Sequence, residues 1–553
     1  MSEETFDYVI VGAGSAGCVL AERLTESGEH TVVVLEYGGS DRSLFIRMPA
    51  ALSIPMNKAE YDWGYHTEPE PALGERRLHT PRGKVLGGSS SINGMVFVRG
   101  NPQDFNRWEE EGARGWAYRY VLPYFRRAER RAEGADLYRG GEGRLQVRCG
   151  ALENPLHRVW FEAGRQAGYP FTADINGFQQ EGVGRLDMSV GDGRRCSAAR
   201  AYLHPAMQRR NLSVRTRARA TRILFDGRRA CGICYRRGGQ DFTARARREV
   251  LVCCGPINSP QLLKLSGVGP AAELRELGIP LIQDLPGVGE NLQDHLEFYF
   301  QVACKEPVTL YSLMNPLSKA LIGARWLLFK DGVGASNQFE TGGFIRSAVD
   351  VPYADIQYHF LPVAVNYDGS QPLREHGFQA HVGPMRSQSR GWVRLASAEP
   401  HDPPRIFFNY MSRPEDWVQM RACVRLTREI FAQPAFDRYR GREIKPGDKV
   451  QSDAEIDAFI REHVQTAYHP SCTCKMGHAE DPLTVVDAEA RVRGVENLRV
   501  VDSSIMPSIT TGNLNAPTIM IAEKVSDHIL GRPLLSTSDA PYYVAEDWRT
   551  RQR

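Results

Sequence analysis

Four apolar residues near the N-terminus, Tyr8 to Val11, run without a polar break, as a strand covered on both faces requires. They stop at Gly12-Ala-Gly14-Ser15-Ala-Gly17, and a helix-compatible segment follows from Cys18 to Leu24. A second apolar run, Thr31 to Leu35, ends on Glu36. Strand, glycine turn, helix, strand and acid in this order predict a dinucleotide-binding unit. Gly12 permits the tight turn, and Gly14 lets the backbone approach a pyrophosphate. Gly17 lets the helix sit close on the strand, and Glu36 can accept bonds from a ribose diol.

The rhythm then changes along the chain. A Pro- and Gly-rich loop covers 49–88, and helical periodicity fills 104–131. Residues 211–225 alternate like a strand pair and lead through Asp226-Gly227, a hairpin signal. Val250 to Gly255 reads as a buried strand ending in a Gly-Pro break, with a helix from Ser259 to Leu265. From about 298 to 462 the segments 355–360, 378–382 and 391–395 alternate as antiparallel strands do, one face solvated or lining a cavity. Leu498 to Val501 is again a short strand, ending at Asp502, and 516–530 an apolar-faced helix. Dinucleotide-type segments at both ends with a different middle predict an α/β, Rossmann-like cofactor domain in three pieces (1–155, 196–300 and 465–535). The expected insertion is an α+β substrate domain with a mixed or antiparallel sheet (156–195 and 301–464), and 536–553 form a tail.

A chain of 553 residues is too long for one ordinary core, and 42% hydrophobic with 24% charged residues is a globular composition. A net charge of +3 supplies no overall field for nucleic acid. The arginine runs at 126–131 and 245–248 read as solvated faces. No apolar run reaches membrane-spanning length, which leaves only peripheral membrane contact open, and residues 1–7 carry no signal-peptide core. Eleven cysteines without regular spacing argue for a reducing compartment, so a cytoplasmic location is expected. Cys231, Cys234, Cys253 and Cys254 read as structural.

Two longer motifs narrow the cofactor. Gly83-Lys-Val-Leu-Gly87-Gly88-Ser89-Ser-Ser-Ile-Asn93 and Gly255-Pro-Ile-Asn-Ser-Pro-Gln-Leu-Leu-Lys-Leu-Ser-Gly-Val-Gly269 match both signature patterns of the glucose-methanol-choline (GMC) family of FAD oxidoreductases. The resemblance spans essentially the whole chain. Gly334 to Glu340, Asp355 to Ala364 and Tyr468 to Gly477 resemble its choline-oxidising members in particular. The turn at Gly87 to Ser90 suits phosphate oxygens or the flavin edge, and Asn93 offers an amide to the polar end of an isoalloxazine. Asn515-Ala-Pro517 looks like a capped helix start, whose positive end the family aims at the flavin's pyrimidine side. The resemblance also assigns Gly94, Val96, Ala220 and Asp502 to the cofactor envelope. Where related oxidases carry a flavin-linked histidine, this chain has Ile92, so FAD is expected to be non-covalent.

Flavin-dependent alcohol oxidation needs a base within hydrogen-bond reach of the hydroxyl. By resemblance His469, in Tyr468-His-Pro470, is that base. Asn513 is its neighbour, able to hold the substrate oxygen but not to act as a second base. His295 reads as structural. A quaternary ammonium has no donors, so it is gripped by aromatic faces and a nearby carboxylate. Tyr468 and Trp63 match cage positions of choline-oxidising relatives, Tyr358 is a further candidate and Glu340 matches their carboxylate, the alternative being a Glu340–Arg346 pair. The resemblance implies oxidation of choline to betaine aldehyde, continuing to glycine betaine in osmoprotection. It leaves oxygen, a quinone or a respiratory chain as electron acceptor, and the oligomeric state is not legible; another GMC alcohol oxidase is the rival reading.

Overall fold

The computed structural model describes residues 3–366, 373 and 375–553. Residues 1–2, of the acidic N-terminus, and 367–372 with 374, of the expected insertion, lie outside the described residues.

Strand Val32–Leu35 is wholly buried because it has parallel neighbours on both edges, Glu3–Val11 and Leu212–Arg215. Glu3–Val11 in turn pairs in parallel with Gln240–Val252, which pairs in parallel with Leu498–Val500. A hairpin, Arg219–Asp226 and Arg229–Arg237, extends Gln240–Val252 antiparallel and completes a seven-stranded sheet. Its turn is the expected Asp226-Gly227, with Gly227 at φ +58°. The expected pairing within 211–225 is not found. Leu212–Arg215 pairs instead with Val32–Leu35, because its backbone continues the parallel ladder. Pro256 does not break the chain either, for it stands in the first turn of helix Gly255–Leu265, where a missing N–H costs nothing.

Helices Ser15–Thr25 and Asn515–Leu530 pack together on this sheet. A carboxylate buried between them, Glu523, accepts from Arg23 (2.9 Å) and from the Tyr202 hydroxyl (3.0 Å).

The second sheet has eight strands, mostly antiparallel, with Leu296–Cys304, Gly377–Pro384, Ile356–Leu361 and Thr341–Ile345 side by side. One face packs on helices Pro155–Gln166 and Pro414–Phe431 through Trp160, Tyr358, Phe360, Phe378 and Phe431. Strand Leu296–Cys304 runs across the boundary expected at 300, since its pairing continues unbroken from Phe298 to Ala303 against Gly377–Pro384. The segment 391–395 lies outside this sheet, where Trp392–Arg394 pairs with Arg405–Phe407.

Candidate active site

A long cavity runs from Glu36 and Ala218–Ala220, through the glycine loops, to His469 and Asn513. Gly12 takes φ +97°, and a Cβ there would stand 2.5 Å from the Cys253 carbonyl. At Gly17 a Cβ would collide with the Gly12 carbonyl, so the helix can approach the strand only without one. The second glycine loop docks on the first: Gly87 N–H donates to the Ala13 carbonyl at 2.7 Å, and a Cβ on Gly88 would lie 2.7 Å from Gly14 Cα. Gly12, Gly14, Ser15, Gly88, Ser89, Asn93, Gly94, Val96 and Ala220 line the cavity. Gly17 and Gly87 do not, and their work is in the packing just described.

Glu36 closes one end. Its oxygens accept the N–H groups of Ala13 (2.8 Å) and Gly38 (2.7 Å), and burial pushes its pKa up to about 7. Trp63 also lines the cavity. Its ring lies between Tyr37 (5.0 Å) and Tyr65 (5.6 Å), with Arg219 over Tyr37 and Trp63. Trp63 lines the same cavity as Tyr468 and His469, and Arg82 ties the two segments: Trp63 N–H donates to the Arg82 carbonyl at 3.0 Å and the Arg82 guanidinium to the Tyr468 carbonyl at 2.6 Å.

Helix Asn515–Leu530 opens onto the cavity, but Leu514 occupies its cap position and no side chain caps it. The expected Asn515 cap is corrected, because its Oδ1 is turned to accept the Ser15 hydroxyl at 2.8 Å. The first-turn N–H groups of the helix therefore have no capping side chain. Asp502 accepts from Gly255 N–H, the Ser259 hydroxyl and Ser504 N–H, while burial pushes its pKa up. Asn93 Oδ1 accepts from Met95 N–H (3.0 Å) and Arg195 (2.8 Å), which fixes the amide at the cavity wall.

His469 sits on an over-determined turn. Tyr468 takes the left-handed conformation, φ +66°, uncommon for a bulky residue. It is held there by Arg82 bonding its carbonyl (2.6 Å) and by its own N–H donating to Thr466 (2.8 Å). Asp294 then accepts the His469 N–H at 2.7 Å and the Tyr410 hydroxyl at 2.6 Å.

The partners fix the protons on the rings. His295 Nε2 faces the Met385 carbonyl at 3.1 Å, which can only accept, so Nε2 carries the hydrogen. Burial pushes the His295 pKa down to about 3, so the ring is neutral and its Nδ1 is bare. That atom faces His469 Nδ1 at 3.1 Å and makes it the donor. Burial, with lesser contributions from His295, His359 and Arg82, holds the His469 pKa well below its ordinary value. His469 Nε2 is therefore an unprotonated acceptor on the cavity, 3.1 Å from Asn513 Nδ2. Asn513 Oδ1 accepts from Gln357 at 3.1 Å, which orients the amide consistently.

The second sheet supplies the opposite wall. Register places Tyr299, His381 and His359 in one row across three strands, and Glu297 stands two residues before Tyr299 on the same face. Glu297, Tyr299, His381, His359 and Phe339 all line the cavity. The Tyr299 ring stacks on His381 at 4.1 Å, and Phe339 meets His359 and His381 edge-on at 5.7 and 5.5 Å. Val365 N–H donates to Gln379 Oε1, so the Gln379 Nε2 amide faces His381 Nε2 at 2.8 Å and must donate to it. His381 Nε2 is then an acceptor, which leaves its Nδ1–H to donate to Glu297 Oε1 at 3.0 Å.

Two expected cage residues point elsewhere. Tyr358 lies between Gln357 and His359 on its strand, and alternation turns it to the other face. There it packs on Trp160 and accepts from Thr427 at 3.1 Å. Glu340 follows the cavity-lining Phe339 and faces away, accepting from Leu152 N–H (2.7 Å) and Ser336 (2.6 Å). The alternative partner Arg346 binds Glu181 at 2.9 Å instead.

Comparison with known proteins decides the family. The GMC oxidoreductase N- and C-terminal models match residues 6–297 and 387–522. The chain belongs to the GMC oxidoreductase family. It is 57% identical over 547 residues to the oxygen-dependent choline dehydrogenase of Brucella anthropi, covering 99% of this chain and 100% of that one. To the Photobacterium profundum protein of the same name it is 55% identical over 552 residues, with 99% and 97% covered. Among solved structures, pyridoxine 4-oxidase superposes with a TM-score of 0.86 at 31% identity, covering 95% and 99% of the chains. A FAD-dependent oxidoreductase from Chaetomium thermophilum gives 0.86 at 28% identity, with the same coverage.

The GMC site thus contains residues that motif reading passed over: Glu297, Tyr299, Phe339, Gln357, His359 and His381. A signal for most of them was present. In Leu296-Glu-Phe-Tyr-Phe-Gln301, Ile356-Gln-Tyr-His-Phe360 and Phe378-Gln-Ala-His-Val382 the polar groups fall at every second position, on one face of each strand.

Proposed function

We propose that this GMC oxidoreductase uses non-covalent FAD to oxidise choline to betaine aldehyde. The carrying observation is the bare Nε2 of His469, which shares one cavity with Asn513, Glu297 and the aromatic faces of Tyr299, Phe339 and Tyr468.

The residues fit FAD. Two glycine loops in backbone contact leave no side chain over the path of a pyrophosphate, and Glu36 is placed for a ribose diol. The uncapped start of Asn515–Leu530 offers N–H groups and positive potential to an electron-rich ring. Ile92 is buried among Ile46, Met56, Tyr61 and Val85 and has no atom able to link a flavin. FAD supplies the hydride acceptor. The first sheet is accordingly assigned to cofactor binding and the second to substrate.

Choline's hydroxyl proton passes to His469 Nε2 as its carbinol carbon gives up hydride. Asn513 Nδ2 donates to the same oxygen and holds it as charge develops. Glu297 and the aromatic faces oppose the trimethylammonium group, where a fixed cation offsets a buried carboxylate. The hydrated aldehyde presents a gem-diol to the same base, so glycine betaine follows at one site. The name of the relatives, oxygen-dependent, supports oxygen as an acceptor of the electrons.

Anaerobic stopped-flow mixing of the yellow holoenzyme with choline should bleach the flavin, and subsequent oxygen should restore it. Bleaching by another primary alcohol but not by choline would overturn the substrate assignment. Acid precipitation should leave the FAD in the supernatant.

A further inference from the structure

Two buried glutamines stand behind the Glu297 end of the substrate wall. Register pairs Gln301 with Gln379 and Tyr299 with His381 across strands Leu296–Cys304 and Gly377–Pro384. Alternation puts these four on one face with Glu297, while Phe298, Phe300, Phe378 and Val382 fill the apolar core on the other. Gln301 and Gln379 are both 0% exposed, and neither lines the cavity. A matched pair of apolar side chains would fill the same space with no hydrogen bonds to satisfy.

The hydrogen bonds of these amides run in one direction. The Val365 backbone N–H, which can only donate, meets Gln379 Oε1 at 2.9 Å, and Gln301 Nε2 donates to the same oxygen at 2.9 Å. Gln379 Nε2 is thereby left to donate to His381 Nε2 at 2.8 Å, and His381 Nδ1–H to donate to Glu297 Oε1 at 3.0 Å. A hydrogen bond donated to a carboxylate favours its ionised form. In the other tautomer a bare Nδ1 would face that oxygen, and two acceptors would repel each other. Glu297 would then turn away or take up a proton, and either change removes its charge from the cavity.

We propose that Gln379 is a positioning residue for cation selectivity, which fixes the His381 tautomer and so keeps Glu297 ionised and in place, without itself touching substrate or flavin. This rests on the reading of Glu297 as the carboxylate of the choline site, and the experiment separates the two.

The experiment is anaerobic stopped-flow reduction of the full-chain holoenzyme, with choline and with the neutral isostere in which a quaternary carbon replaces nitrogen. Gln379→Met removes the donor to His381 at similar volume. Gln379→Glu puts an acceptor there, which draws a proton onto His381 Nε2. The imidazole then either turns a bare Nδ1 to Glu297 or opposes it as a cation. Each variant should raise the apparent dissociation constant for choline at least about tenfold. The limiting rate of flavin reduction, the FAD content and the constant for the isostere should stay near parental. Gln301→Met should change none of these, because Val365 N–H still orients Gln379. In a Glu297→Gln background the Gln379 substitutions should add nothing further, since Gln379 acts through that carboxylate. Unchanged choline affinity in both Gln379 variants, equal weakening of choline and isostere, an equal loss in Gln301→Met, or additive losses in the cycle would overturn the proposal. Parental choline affinity in Glu297→Gln alone would instead overturn the cation assignment on which it rests.

Discussion

Asn513 Nδ2 points at His469 Nε2 across 3.1 Å, and this one contact identifies the ring nitrogen that lacks a proton. A base so arranged needs no prior deprotonation across the physiological range, since burial keeps its pKa well below the ordinary value. His469→Ala should leave the flavin spectrum intact and slow flavin reduction by choline about 10²- to 10⁴-fold. Stopped-flow absorbance checks this; reduction at the parental rate would remove His469 from proton transfer.

His295 acts through His469, as a positioning residue. Its bare Nδ1 holds the proton of His469 on the far side of the ring. Replacement by Phe removes that acceptor and frees the other tautomer. The reduction rate should fall roughly ten- to a hundredfold, with little change in FAD content or in the Michaelis constant for choline. His295→Asn, whose amide oxygen can accept in place of Nδ1, should recover part of the loss. Parallel falls in FAD content and rate would mark a purely structural role.

The two glutamates should separate cleanly. Glu297→Gln removes the charge facing the cavity and should raise the Michaelis constant for choline roughly ten- to a hundredfold. It should have far less effect on the neutral isostere in which a quaternary carbon replaces nitrogen. Glu340→Gln should leave both constants near parental values and lower the melting temperature, because Glu340 ties Leu152 to Ser336. The opposite pattern would return the cation site to Glu340.

Glu36 sets a pH dependence of the apoprotein. Its folded pKa, about 7, lies above the reference 4.5 because of burial, so the folded state favours the protonated form. That stabilisation is full below about pH 4.5 and is lost as pH rises through about 7. Each pKa unit is worth about 1.4 kcal/mol, so the effect is on the order of 3 kcal/mol. Glu70, raised to about 7, and Asp294, raised to about 6, act in the same sense. Apoprotein melting temperatures should therefore fall across this window, and Glu36→Gln should flatten part of the fall. An unchanged slope in the variant would refute the assignment.

The first sheet was legible because its signals are local: an unbroken apolar strand, a glycine turn and an acid lie within a few dozen residues. The hairpin at Asp226-Gly227 was legible for the same reason. Leu212–Arg215 was not, since its partner lies far back in the chain and nothing in its own alternation names that partner. The site followed the same division. His469 and Asn513 sit in motif-bearing turns and were brought together as expected. Tyr358 lies on a strand that turns successive side chains to opposite faces, so it packs in the core while Gln357 and His359 face the other way. Glu340, just before strand Thr341–Ile345, is drawn away from the cavity by Leu152 N–H and Ser336.

The meeting of Gly14 and Gly88 bears on how the protein can be altered. One methyl group at position 88 would wedge apart loops that lie over seventy residues from each other in sequence, since it would stand 2.7 Å from Gly14 Cα. Neither loop can be redesigned alone. Engineering toward a different nucleotide must therefore treat both as one hinge-free clasp, and leave tuning of the alcohol to the distant sheet, whose residues can be exchanged without disturbing that joint.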